Sequence, residues 1–137
     1  MSKYRAPSRK SKYYLPKEDY LTAVHYARRY PTLIAEYNVL ADTAGAIRYD
    51  KDKVQTSGDY DSTFEAAVRL TEIGDKIHKI ENALELATPD NALRRYLQQS
   101  VCDGMMEFQL KQRGMKCGHG TFSAMRRRFY FELSKKI

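Results

Sequence analysis

The chain reads as an all-α protein, and three features of its 137 residues support this. Apolar residues recur at helical spacing along most of its length. No stretch alternates with period two for long enough to make a strand. The most regular stretch is a heptad seam of about three repeats. The expected architecture is an N-terminal helical hairpin, one long central helix, and a C-terminal three-helix module of helix-turn-helix type. The corresponding segments are a basic tail (1–14), the hairpin with loop and central helix (15–88), and the module (89–137).

Residues 1–14, MSKYRAPSRKSKYY, mix Ser, Pro, Lys and Arg with tyrosines and have no periodicity, which is the composition of a disordered tail. A helix is expected to open at Leu15-Pro16, since proline suits a first turn and Glu18 and Asp19 suit its positive end. Its apolar face is Tyr20, Leu21, Val24 and Ala27. Pro31 closes it and opens a second helix along Leu33, Ile34, Tyr37 and Leu40. From Thr43 to Tyr60 the periodicity lapses, and Gly45, Gly58 and several Asp and Lys residues predict a loop.

Ser62 to Glu65 has capping-box form and predicts the start of the central helix. Ala66, Leu70, Ile73, Ile77, Ile80, Leu84 and Ala87 then form the seam, which runs to Pro89. Gly74 weakens it by about 1 kcal/mol relative to alanine. The seam has two available partners. One is the N-terminal hairpin of the same chain; the other is a second copy, giving a homodimer through Leu70, Ile73, Ile77, Ile80 and Leu84. The hairpin's own apolar residues need burial too, which favours the intramolecular arrangement.

Beyond Pro89, Leu93, Tyr96, Leu97 and Val101 make one helical stripe, stopped at Asp103-Gly104. Met105, Met106, Phe108 and Leu110 predict a short second helix ending near Gly114. The last helix begins around His119 or Thr121, with Phe122, Met125, Phe129 and Leu133 inward. On this spacing Arg127 and Arg128 point outward with Ala124, Phe131 and Lys135. Arg126 flanks the core, its stem buried and its head able to reach a phosphate. Helix, tight break, short helix, turn and basic helix is the order of a helix-turn-helix. Thr121, Ser123 and Ala124 are small enough for close approach to a major groove, where arginine can bind guanine with two hydrogen bonds. Gly118 and Gly120 leave the helix's first amides open to a phosphate. The expected DNA-binding residues are Lys116, His119, Thr121, Ser123, Arg126, Arg127, Arg128 and Lys135.

Charge segregation fits that reading. Residues 1–17 hold six basic side chains and no acid; 18–93 hold eight basic and fourteen acidic; 94–137 hold ten basic and three acidic. An acidic middle between basic ends is the electrostatic pattern of a polyanion binder. The alternative is an interaction protein whose basic ends meet an acidic protein partner.

Other chemistries find little support. Cys117, His119 and Cys102 lack the paired close spacings of structural zinc sites. Neither the phosphate-binding GxxxxGK[ST] motif nor the GxSxG nucleophile motif is present, so no enzyme activity, catalytic residue, metal or cofactor is expected. Tyr20, Tyr37 and Tyr96 fall at core-facing positions. With no apolar run of spanning length and no secretory leader at the N-terminus, a cytoplasmic protein with reduced cysteines and no membrane partner is expected.

The stretch AIRYDKDKVQTSGDYDSTFEAAVRL (46–70), with the terminal GTFSAMRRRFYFELSKKI, resembles small Firmicutes phage and prophage proteins grouped as RinA/ArpU-type late transcription regulators. KVQTS (53–57) is the most distinctive element shared. The C-terminus is similar to the sigma-factor helix-turn-helix, with the recognition helix starting near His119 and Thr121-Phe122 at the Thr-plus-apolar step of that pattern, although Arg113 to Gly118 is a longer turn than that pattern has. The resemblance implies a sequence-specific regulator of transcription bound to double-stranded DNA. It also implies a long central helix in contact with another subunit or with host RNA polymerase.

Overall fold

The computed structural model describes residues 12–50 and 57–137, with side chains for 12–42 and 64–137. Its helices are α1 (Lys17–Arg28), α2 (Tyr30–Asp50), α3 (Ser57–Ala87), α4 (Asn91–Asp103), α5 (Glu107–Gln112) and α6 (His119–Lys136). Among the described residues there is no strand, and the chain is all-α.

Two expected boundaries move. The loop expected from Thr43 to Tyr60 is helical through Asp50 and again from Ser57, while residues 51–56, most of the KVQTS element included, lie outside the described residues. Periodicity lapses there, but it reports only a buried face. Ala44, Ala46 and Arg48 are good helix formers, and a helix already nucleated extends at little cost. The Ser62–Glu65 box lies inside α3 and does not open it.

The chain forms two compact units, one from Thr32–His78 and one from Met1–Pro31 with Lys79–Ile137. In the first, Leu33, Ala66, Ile73 and Ile77 are buried and Leu70 is half-buried. Tyr37, expected inward, is instead 39% exposed, and its ring lies beside Gly74, with Cε2 3.6 Å from where a Cβ would stand.

In the second unit α1 packs against α6 and also against α4, and α4 in turn meets α5 and α6. Tyr20, Ala23, Val24 and Ala27 of α1 are buried, and the Tyr20 ring meets Tyr130 of α6 edge-on at 5.3 Å. Phe122, Phe129, Leu133, Leu97, Val101 and Leu110 complete the centre. The α3 residues Ile80, Ala83, Leu84 and Ala87 are buried as well. The inward seam residues are thus buried within one chain from Ile73 (5% exposed) to Leu84 (2%).

Corners are set by local hydrogen bonds. After α3 the Thr88 carbonyl accepts from both Nε and Nη2 of Arg94, at 3.2 and 3.1 Å. Asp90 then caps α4, its carboxylate accepting from the backbone N–H of Ala92 and Leu93. At the other end of α4, Gly104 takes a left-handed φ of 77°, its N–H donating to the Ser100 carbonyl at 3.1 Å. The Arg28 guanidinium lies so close that a Cβ on Gly104 would stand 2.8 Å from its Cζ. An arginine beside the negative end of α4 is favourably placed.

The two glycines should respond oppositely to alanine. At Gly74 the new methyl would meet Tyr37 at an ordinary contact distance in a right-handed helix, so Gly74→Ala should stabilise the protein by about 0.5–1 kcal/mol. Gly104→Ala should destabilise it by at least about 1–2 kcal/mol, because a left-handed alanine is strained and Arg28 has to move. Denaturant midpoints of the two variants measure both; shifts of the same sign would contradict this account.

Candidate nucleic-acid interface

α6 is buried along a wider arc than its sequence suggests, because both α1 and α4 pack on it. Besides Phe122, Met125, Phe129 and Leu133, the arc includes Tyr130 at 3% exposure. That extension changes the fate of the arginine triplet. Arg126 is drawn into the packed side: its Nε is buried without a hydrogen-bond partner among the described residues, and its charge lies beside the Tyr130 phenol. Burial pushes the Tyr130 phenol above its ordinary value, and the neighbouring Arg126 charge opposes that rise. Arg127, expected fully outward, is half-buried; Arg128 alone of the three is exposed.

The remaining expected residues spread along the helix and the turn before it. Lys116, His119 and Thr121 are exposed, and Ser123 is half-buried. Thr121, Arg128 and Lys135 recur every two turns and share the exposed side, with half-buried Ala124 and Phe131 between them. Phe131, expected to face solvent, is covered: the Tyr13 ring meets it edge-on at 5.5 Å and the Lys135 ammonium lies 4.4 Å from its centroid. Lys135 also sits 3.6 Å from the Glu132 carboxylate, so its charge is partly shared. Tyr13 and Tyr14 are half-buried and Leu15 is buried, so packing reaches into the expected tail; residues 1–11 lie outside the described residues.

The start of α6 is held to α5 by a short side-chain contact. His119 Nδ1 is 2.8 Å from Glu107 Oε1, and Lys111 Nζ is 3.2 Å from the other oxygen of the same carboxylate. Burial alone would raise the Glu107 carboxyl. The hydrogen bonds from His119 and Lys111 outweigh it, and Glu107 lies below its ordinary value. His119 is thus engaged, while Gly118 and Gly120 have open space where a side chain would begin. The turn from Arg113 to Gly118 is as long as its sequence implies. Met115, which helical periodicity could not have assigned, anchors it at 4% exposure, its N–H donating to the Leu110 carbonyl at 3.0 Å.

The two cysteines lie in different settings. Cys102 is buried in α4, its thiol pushed up to about 12 mainly by burial, and Cys117 is half-buried in the turn. Among the described residues no three His, Cys, Asp or Glu side chains form a group able to hold a metal ion. Nor is any helix there long and apolar enough to cross a membrane. Comparison with protein-family models, curated proteins and solved structures finds no match to this chain.

The Glu107 link should show in acid. A carboxylate whose folded value is depressed contributes stability above its unfolded value, about 4.5, and loses it as pH falls through the folded one. The stability difference between the wild type and Glu107→Gln should therefore be full at neutral pH and shrink below about pH 4.5. Unfolding curves across that range check this; a difference independent of pH would exclude the link.

Proposed function

We propose that the chain binds double-stranded DNA with the exposed side of α6 toward the major groove, as a regulator of transcription. The carrying observation is the exposed strip of Thr121, Arg128 and Lys135 on a helix with no acidic residue in its first turn. Half-buried Ala124 in that strip leaves room for close approach. The order of α4, α5 and α6, broken by the left-handed Gly104, supports a helix-turn-helix mode of docking. Charge segregation adds a general attraction to phosphate. The phage and prophage regulator role, with α3 meeting another subunit or host RNA polymerase, is part of the same proposal. Its support is the sequence resemblance.

Burial reassigns the roles within the arginine triplet. Arg128 becomes the leading base-contacting residue, Arg127 reaches the groove only from the strip's edge, and Arg126 is mainly a packing group. Lys135, already shared with Glu132 and Phe131, supplies a weaker phosphate contact.

Gel shifts over a salt series test the reading. Affinity for duplex DNA should fall steeply as salt rises, since counterion release drives the association. On a site selected from random fragments, Arg128→Ala should cost about 1–3 kcal/mol and relax specificity at one position. Lys135→Ala should weaken all sequences evenly and by less. Salt-insensitive binding, or a selected site indifferent to Arg128→Ala, would reject this interface.

A further inference from the structure

Two lysines far apart in the sequence sit on one pair of rings. Tyr13 and Phe131 stand edge to face, their centroids 5.5 Å apart and their planes at 62°. Lys12 Nζ lies 5.0 Å from the Tyr13 centroid and Lys135 Nζ lies 4.4 Å from that of Phe131, both within cation–π distance. Phe131 follows Ala124 by two helical turns, among the residues of the Thr121, Arg128 and Lys135 strip. Tyr13 therefore packs on the strip's side of α6, and the ammonium on its ring comes with it. Leu15, buried three residues after Lys12, anchors the chain at this place.

The two lysines differ in how freely they can meet an anion. Lys135 shares its charge with Glu132 at 3.6 Å, whereas Lys12 is exposed and pairs with no carboxylate among the described residues. An ammonium seated on a ring keeps N–H donors on its far side, so Lys12 can bind a phosphate without leaving Tyr13. A free surface lysine loses rotamer freedom when it meets a phosphate; one already held on a ring loses less.

We infer that Lys12 is a further phosphate-contacting residue, held in place by Tyr13 on Phe131, and that it extends the DNA-binding face from α6 to the segment before α1. This rests on the DNA reading above. Tyr13 acts through Lys12, as a positioning residue.

Salt series on the full chain test it, with a short duplex of random sequence as the probe. Lys12→Gln should weaken binding and lower the slope of log affinity against log salt by about one. Lys76→Gln, which removes the same charge from α3, should leave that slope near wild type. Tyr13→Ala keeps every charge and should still weaken binding about twofold to fivefold, the range of one exposed cation–π contact. Tyr13→Phe should stay near wild type. Tyr13→Leu, which keeps an apolar group against Phe131 but offers the cation no ring, should match the Tyr13→Ala loss in a folded protein. Joining Tyr13→Ala to Lys12→Gln should cost no more than Lys12→Gln alone. An unchanged affinity for Tyr13→Ala, equal slopes for Lys12→Gln and Lys76→Gln, or losses that add in the double variant would overturn the inference and leave the DNA reading intact. A wild type without salt-dependent duplex binding would overturn both.

Discussion

Phe129 and Leu133 of α6 are fully buried in a unit where α1, from the start of the chain, and α4 both pack on that helix. Each large apolar side chain so buried is worth about 1.5–3 kcal/mol, so this shared face is a strong attachment of the C-terminal helix. Holding α6 from two sides widens its buried arc to include Tyr130, which meets Tyr20 of α1 edge-on. The outward chemistry of α6 is what that arc leaves over. Arg126 is drawn against Tyr130, Arg127 is partly covered, and Arg128 stays outside with Thr121 and Lys135.

The same dependence reaches the parts around α6. Arg28, on the last turn of α1, comes to rest against the end of α4 because α1 is docked there, and only glycine at position 104 leaves room for its guanidinium. Met115 anchors the long turn before α6, while Glu107 ties the helix's first residue to α5 through His119. A basic helix projecting from a loose tail could not present one side consistently; this one is fixed along its length and at its entry.

Much of this was legible in the residues. The inward positions Phe122, Met125, Phe129 and Leu133, the break at Gly104 and the end of α3 before Pro89 all follow from periodicity and from the backbone preferences of glycine and proline. The helical stretches before Asp50 and after Ser57 were not legible as helix, since a helix without a regular apolar stripe carries no periodic signal. Tyr37 departs from its expected inward place for a related reason: spacing places a residue on a side of a helix, but an aromatic ring can lie across the rim of a contact and stay 39% exposed.

By itself the sequence determined the all-α class, the inner face of each strongly periodic helix, and the basic character of both chain ends around an acidic middle. These depend on local spacing and composition, which a linear chain carries in full. Only the tertiary structure decided that α1 pairs with α6 and α4, that Arg128 is the exposed arginine of its triplet, that His119 is bonded to Glu107, and that Tyr13 covers Phe131. Each joins groups distant along the chain or depends on how many neighbours a helix acquires. Helical periodicity gives the direction of a side chain from its own axis, and it takes the packing of other helices to show what lies there.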